Sequence, residues 1–218
     1  MDKYTKPDFT RSAVLTIDTQ NDFSLPGAVA EIQGTDEVVP RMNRILEVCR
    51  SRQIPILHVI RIYKEDGSNA DLCRRERIES GAGIVKPGSV GADLVASIKP
   101  WDAEELNYED LLNGTIQRIA NAEWVLYKPR WGAFYQTRLE SFLREKEIGT
   151  VIIIGCNFPN CPRTTIYEAS ERDFKVVMVE DAVSGVYGKG IDEIKNIGVK
   201  VYATDEFLQV LENMPPKG

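Results

Sequence analysis

Three side chains that together can carry out acyl transfer each follow a different short apolar run of the chain: Asp18, Lys128 and Cys161. In such a trio a carboxylate accepts the thiol proton, an ammonium stabilises developing negative charge, and the thiolate attacks a carbonyl carbon. Each residue alone has an ordinary structural explanation, because acids often end strands, lysines are mostly solvated and cysteines are often buried. Together they form a site that works without histidine, which suits a chain whose one histidine is His58.

Cys161 is the most informative of the three because of its predicted place at the start of a helix. With Asn160 as the N-cap, Cys161 lies in the first turn, and Pro162 follows where its missing N–H costs nothing. The free amides and the dipole of a helix N-terminus lower the pKa of a thiol and can hold an oxyanion as it forms. The alternative is that Cys161 is a small buried hydrophobe, as we expect for Cys49.

The elements that must position these side chains alternate between strands and helices. Six β-rich apolar runs predict strands buried on both faces, at 13–17, 55–60, 124–127, 151–154, 175–179 and 199–202. Helical patterns separate them, including one apolar face made of Met42, Ile45, Leu46 and Cys49. This alternation predicts an α/β fold with a mainly parallel sheet, whose ligand sites lie at the carboxyl ends of the strands.

One region interrupts the alternation. From about 64 to 107 the chain carries several glycines, Asp66–Asn69 and the basic cluster Arg74–Arg77. Such a long insertion is usually a lid, a binding loop or an oligomer contact. No linker or internal repeat divides the chain, so we predict a single domain of residues 1–218 that contains this insertion.

Composition excludes several classes of protein. The 27 basic and 33 acidic residues leave a net charge of -6, which argues against binding nucleic acid or an anionic membrane. The apolar runs are far shorter than the ~20 residues of a membrane span, and the polar residues 1–11 do not resemble a signal peptide. Four scattered cysteines do not suit a disulfide framework. We expect a cytoplasmic protein that acts on a small molecule without a cofactor.

Three motifs carry a resemblance to a known superfamily. Residues 15–23 (LTIDTQNDF), residues 128–134 (KPRWGAF), and Gly155 followed six residues later by Cys161 resemble the isochorismatase-like cysteine hydrolases. These include nicotinamidases, N-carbamoylsarcosine amidases, and biuret and ureidoacrylate hydrolases. The resemblance covers nearly the whole chain from about Ala13. It implies a three-layer αβα, Rossmann-like fold with a six-stranded mainly parallel sheet, a catalytic triad of Asp18, Lys128 and Cys161, and a homo-oligomer, either dimer or tetramer.

The same resemblance implies hydrolysis of a carboxamide or carbamoyl C–N bond through a thioester on Cys161. It places the oxyanion hole at the backbone amides of Phe158 and Cys161, with a cis peptide expected at Asn157–Phe158. Relatives usually carry Thr at the position of Phe158 and an apolar residue at that of Pro162. Nicotinamidases bind a metal through an Asp-x-His and a second His, which the lone His58 cannot assemble. We therefore expect a metal-independent hydrolase for which nicotinamide is a poor substrate.

Other residues at the same edge are candidates for binding and support. Phe23, Trp131 and Tyr167 could line the substrate pocket, with core packing as the alternative. Asn157 is also expected to contact the substrate. Asp22 and Asp181 are expected to hold the first and last loops. Arg61, Arg163 and the Arg74–Arg77 cluster could meet a substrate carboxylate or lie on a solvated or subunit-contacting surface. Two other functions stay open, an isochorismatase-type ether hydrolase and a non-catalytic α/β binding module.

Overall fold

The structure, a computed structural model, describes residues 3–214; residues 1–2 and 215–218, the ends of the predicted domain, lie outside it. Seven strands form one sheet in the order β3-β4-β2-β1-β5-β6-β7. Their bounds are β1 (Ser12–Ile17), β2 (Ile56–Ile60), β3 (Gln117–Ala120), β4 (Glu123–Tyr127), β5 (Thr150–Gly155), β6 (Lys175–Val183) and β7 (Lys200–Tyr202). The pairings are parallel except that of β3 with β4, so the prediction of a mainly parallel sheet is confirmed.

The predicted count of six strands was wrong by one. The additional strand is β3, a four-residue edge strand that pairs antiparallel with β4. Of its residues only Ile119 is buried, while Gln117 and Arg118 are polar and partly or largely exposed. An edge strand of this kind lacks the continuous apolar run by which the six other strands were predicted.

Helices cover both faces of the sheet. Their bounds are α1 (Asn21–Ser24), α2 (Thr35–Ser51), α3 (Leu72–Glu79), α4 (Tyr108–Leu112), α5 (Leu139–Glu145), α6 (Cys161–Ser170), α7 (Gly188–Asn196) and α8 (Thr204–Glu212). Apolar residues of α5, α6 and α7 pack on one face of the sheet, and those of α2 and α8 pack on the other. The predicted three-layer αβα arrangement is therefore confirmed. Across residues 3–214, no helix has both the length and the apolar character that crossing a bilayer requires.

The two cores follow from the two-residue period of the strands. In the central strand β1, Ala13, Leu15 and Ile17 face the α5–α7 side, whereas Val14 faces the α2 and α8 side. The predicted apolar face of α2, from Met42 to Cys49, is fully buried against the second side. Such a doubly covered sheet holds the ends of its strands rigidly.

The segment 64–107 folds over the carboxyl edge of the sheet. It contains α3 and a short 3₁₀ turn, Val90–Ala92, rather than loop alone. Its buried Ile78, Ile84 and Val85 pack with Phe23 and Tyr63, which lie beside the ends of β1 and β2. The insertion is thus packed against the edge at which the candidate residues gather.

Gly155 allows β5 to end close against β1. Its φ is +126°, and an added Cβ would lie 2.3 Å from the carbonyl oxygen of Ile17. No L side chain fits at that distance, so glycine is required at this position. The close approach brings the segment that leads to Cys161 beside the residue that follows Ile17, which is Asp18.

Candidate active site

Three strand ends bring the predicted triad to one edge. Asp18 follows β1 and its amide donates to the carbonyl of Val59 (2.9 Å), while Lys128 follows β4 and its amide donates to the carbonyl of Ile60 (3.0 Å). Both bonds continue the sheet ladder by one residue, so the backbones of the acid and the amine are held as firmly as strands. Cys161 is the first residue of α6, which begins six residues after β5 ends.

Asp18 and Lys128 form a buried ion pair. The Nζ of Lys128 donates to Oδ2 of Asp18 at 2.9 Å, and both side chains are almost completely removed from solvent. Nζ also donates to the carbonyl of Arg130 at 3.2 Å. The second carboxylate oxygen, Oδ1, is buried, and no N–H group within residues 3–214 donates to it. A buried carboxylate oxygen without an N–H donor is costly unless it has a use, and this one is free to accept a proton.

The thiol of Cys161 lies within the electrostatic reach of this pair. Burial raises the pKa of Cys161 to about 11, the charge of Asp18 adds to the rise, and the charges of Lys128 and Arg61 oppose it. The expectation of a lowered thiol pKa was therefore wrong, because burial and the neighbouring carboxylate of Asp18 both raise the pKa of Cys161. At neutral pH the thiol is protonated, and a nucleophile forms only if a base removes its proton.

The expected oxyanion hole needs a correction at Phe158. Its amide donates to the carbonyl of Ser184 at 2.8 Å, so it is already engaged. Its ring is fully buried in the core on the α5–α7 side. The cis peptide is also one bond earlier than predicted, at Cys156–Asn157. Within residues 3–214, the amides of Asn157 and Cys161 donate to no backbone carbonyl, which leaves both as candidate oxyanion donors.

The predicted pocket residues fall into two groups. Phe23 is buried and Trp131 is half-buried, and both rings lie against the guanidinium of Arg74, at 5.1 and 5.7 Å from their centroids. Tyr167, by contrast, is on an exposed side of α6 and packs on Arg163 (5.8 Å). The structure therefore brings Phe23 and Trp131 together and leaves Tyr167 outside that group.

Asn157 is half-buried at the end of β5. Its side-chain oxygen accepts a hydrogen bond from the Asn160 amide group at 3.2 Å. Asn160 is the residue before α6, as predicted, although its side chain does not cap the helix. The two asparagines thus hold the turn that leads to Cys161.

The two supporting carboxylates hold loops, at different places. Oδ2 of Asp22 accepts from the amide of Val85 at 2.6 Å, which ties α1 to the segment 64–107. Asp181 accepts from both the amide (2.8 Å) and the hydroxyl (2.7 Å) of Thr204 and pairs with Arg41. Asp181 therefore fixes the start of α8 on the opposite face of the sheet from α6.

A buried polar cluster next to the triad was only partly anticipated. Arg61, directly after β2, is 1% exposed; it pairs with Asp71 (3.1 Å) and donates to the carbonyl of Pro129 (2.9 Å). The hydroxyl of Tyr63 also donates to Asp71, at 2.7 Å. Arg61 was predictable from its sequence position, but its partners Asp71 and Tyr63 were not. The sequence feature that could have indicated these contacts is the position of Arg61 and Tyr63 just beyond a strand end. Polar residues that are buried there need hydrogen-bond partners nearby.

Gln20 was also missed, and it joins the insertion to the site. Its amide nitrogen donates to the carbonyls of Arg61 (2.8 Å) and Ala92 (2.7 Å), and its oxygen accepts from the amide of Arg61 (2.7 Å). All of these groups are buried. One side chain thereby fixes both the end of β2 and the end of the 3₁₀ turn.

His58 lies inside the sheet, away from these groups. Its Nδ1 is 2.8 Å from the hydroxyl of Thr16, and its Nε2 is 2.7 Å from Oε1 of Glu123, which also pairs with Arg50. This confirms the prediction of a hydrogen-bonded core histidine. Over the described part of the chain, no group of three or more His, Cys, Asp and Glu side chains is arranged to hold a metal ion.

Comparison with known proteins defines the class. Residues 12–206 match the family described as the isochorismatase domain. The chain belongs to this family, which confirms the resemblance seen in its motifs. A solved structure of an isochorismatase family protein from Desulfovibrio vulgaris superposes with a TM-score of 0.79 at 31% identity, over 93% of this chain and 99% of that one.

Two relatives are similar in sequence along most of the chain. A protein from Arabidopsis thaliana named as a probable inactive nicotinamidase is 33% identical over 92% of this chain and 96% of its own length. An N-carbamoylsarcosine amidase from an Arthrobacter species is 27% identical over 94% of this chain and 73% of its own length. The family is one of hydrolases whose relatives here are named for amide substrates.

Proposed function

We propose that this protein hydrolyses a C–N bond of a small amide, ureido or carbamoyl compound through a thioester on Cys161, without a metal ion. The observation that carries the proposal is the buried Asp18–Lys128 ion pair, whose free carboxylate oxygen lies within electrostatic reach of the Cys161 thiol. Burying two charges costs several kcal/mol each, roughly balanced by their attraction, so such a pair is poor evidence of a purely stabilising role. The named amidase relative supports the same chemistry.

In the first half-reaction, Asp18 takes the thiol proton as the sulfur of Cys161 attacks the carbonyl carbon. Because the raised pKa keeps this thiol protonated at neutral pH, proton transfer must accompany the attack. The carbonyl oxygen becomes negative and is stabilised by the amides of Asn157 and Cys161. Protonated Asp18 then gives its proton to the leaving nitrogen, the C–N bond breaks, and ammonia or an amine departs.

In the second half-reaction, water replaces the departed amine. Asp18 removes a proton from this water, whose oxygen attacks the thioester carbon. The C–S bond then breaks, and the sulfur regains a proton from Asp18. Lys128, which pairs with Asp18, offsets the negative charge that passes between the sulfur and the carboxylate. No step requires a metal ion, because Lys128 and the two backbone amides supply the positive potential.

The test is ammonia release from a panel of primary amides, ureides and N-carbamoyl amino acids, with intact-mass detection of the acyl-enzyme. We expect the wild-type protein to release ammonia, Cys161→Ala to release none, and Cys73→Ala to match the wild type. Cys73 is a suitable control because it is exposed and lies on α3, outside the triad.

Two results would contradict the proposal. Turnover of an enol-ether substrate that survives Cys161→Ala would identify an isochorismatase-type ether hydrolase instead. No turnover of any substrate, together with a Cys161 that no thiol reagent modifies in the folded protein, would favour a non-catalytic binding module. The latter result would also agree with the name of the Arabidopsis relative.

A further inference from the structure

We propose that Arg74 is a specificity-determining residue that binds a carboxylate of the substrate, so that the site takes amides that also carry a carboxylate. This inference rests on the proposed function for its chemistry, but its binding step can be tested without turnover. It assigns a role to α3, the helix that the insertion places over the carboxyl edge of the sheet.

Arg74 is held at the site by aromatic rings. Its guanidinium carbon is 5.1 Å from the ring centroid of Phe23, 5.7 Å from that of Trp131 and 6.0 Å from that of Tyr63. The guanidinium of Arg61 lies 5.1 Å from the same Trp131 ring. The two cations therefore share one aromatic wall, and Arg61 in turn acts on the Cys161 thiol electrostatically.

Arg74 lacks the acidic partner that a half-buried cation normally has. One of its Nη atoms donates to the hydroxyl of Tyr63 at 3.1 Å, and within residues 3–214 it forms no ion pair with a carboxylate. The nearby acid Asp71 is already paired with Arg61 and accepts from Tyr63. Burial would lower the pKa of Arg74, but Tyr63 and the charge of Asp18 raise it, so Arg74 stays charged.

Arg74 differs from the two cations nearest to it in the site. Lys128 pairs with Asp18, and Arg61 pairs with Asp71. Within residues 3–214, Arg74 pairs with neither of these carboxylates. A carboxylate on the substrate would give Arg74 the partner that the other two cations already have.

The neighbouring arginines of α3 donate to backbone carbonyls instead of facing the aromatic wall. Arg75 donates to the carbonyl of Ala70 at 3.4 Å, and Arg77 donates to the carbonyl of Val29. Both therefore have a structural role in holding the insertion. Arg74 offers a planar fork of N–H groups, of which one is used, and that geometry matches a carboxylate.

The experiment measures binding by calorimetry in a Cys161→Ala background, where no thioester forms. The probe is succinamate, which carries a primary amide and a carboxylate, and its neutral counterpart is succinamide. We expect succinamate to bind at least about tenfold more tightly than succinamide. Arg74→Gln should remove this preference, and Arg74→Lys should keep part of it because the charge remains without the fork.

Arg75→Gln is the matched control, because it removes the same charge from the adjacent residue of the same helix. We expect it to leave the preference within about twofold of the parent. A second measurement uses Cys161 itself: the ratio of its alkylation rates by iodoacetate and iodoacetamide at pH 9.5 should fall about tenfold in Arg74→Gln. Circular dichroism establishes that each variant is folded.

The outcomes separate this inference from the proposed function. If succinamate shows no preference in the parent, or the preference survives Arg74→Gln in a folded protein, the carboxylate site is refuted whether or not amides are hydrolysed. If the preference depends on Arg74 but no amide in the panel is turned over, the carboxylate site stands and the hydrolase proposal fails.

Discussion

Because Asp18 and Lys128 form a buried ion pair, removing either charge alone should destabilise the folded protein. We expect Asp18→Asn and Lys128→Met each to lower the free energy of unfolding by about 3–5 kcal/mol, because each leaves one buried charge without a counterion. The double variant, which removes both charges, should lie within about 2 kcal/mol of the wild type. Asn is the least disruptive replacement because residue 18 has a φ of +52°, a region that Asn tolerates better than most residues.

The magnitude follows from the geometry. At the 2.9 Å that separates Nζ of Lys128 from Oδ2 of Asp18, the attraction is about 6 kcal/mol at an effective dielectric constant of about 20. The cost of removing both charges from water is similar, so the pair as a whole contributes little to stability. Lys128→Met adds about 1 kcal/mol, since the carbonyl of Arg130 loses a donor.

The assay is urea unfolding followed by circular dichroism, analysed as a double-mutant cycle. For a chain of this size, each single variant should also melt about 6–20 °C lower. The matched control is the surface pair of Arg44 and Asp205, which has a similar distance of 2.8 Å but side chains that are 53% and 77% exposed. Its cycle, Arg44→Met with Asp205→Asn, should give a coupling below about 1 kcal/mol. If the costs of Asp18→Asn and Lys128→Met simply add, the reasoning is refuted.

Two further predictions concern the nucleophile and the strand that leads to it. Alkylation of Cys161 by iodoacetamide, measured by peptide mass mapping from pH 7 to 11.5, should accelerate toward a midpoint near pH 11. Asp18→Asn should lower that midpoint, because the charge of the carboxylate helps to raise the pKa of the thiol. An unchanged midpoint in the variant would contradict this. Gly155→Ala should lower the free energy of unfolding in urea by about 3 kcal/mol or more, because the added Cβ would meet the backbone of Ile17. Gly149→Ala is the control and should cost less than about 1 kcal/mol, because the space around Gly149 is open. Equal effects would show that β5 and β1 can separate at no cost.

The fold was predictable where burial leaves a mark on sequence. Strands covered on both faces need apolar residues at every position, so runs such as 151–154 identified six of the seven strands. The missing strand, β3, pairs through its backbone at an edge and carries polar side chains, so composition gave no signal. The path of the segment 64–107 depends on contacts with distant residues, such as the bond from Asp22 to Val85, and periodicity does not reveal contacts of that range.

The site was predictable at the level of which residues meet, and less so at the level of their electrostatics. The strand ends located Asp18, Lys128 and Cys161, since parallel strands must end at one edge. The predicted lowering of the Cys161 pKa was wrong because the pKa depends on burial and on the nearby carboxylate of Asp18. Asp18 lies 143 positions earlier in the chain, so sequence patterns do not reveal this contact. The engagement of the Phe158 amide, which was expected to be an oxyanion donor, was not predictable because its partner, Ser184, belongs to a different strand connection.

The contacts that could not be predicted are long-range contacts between loops, and the two parts of the proposed site differ in how much they depend on such contacts. The acid and the amine follow strands of a doubly covered sheet, so their positions depend on the most regular part of the fold. The cation that we assign to substrate recognition, Arg74, stands on an eight-residue helix within an insertion. That insertion is attached to the sheet through a few buried contacts, such as those of Gln20. A change in the insertion can therefore alter which substrate is bound while Asp18 and Lys128 stay in place, because no strand has to move. The residues that we propose for the chemistry can thus be predicted from the strand ends. The residue that we propose for specificity can be found only from the three-dimensional contacts of the insertion.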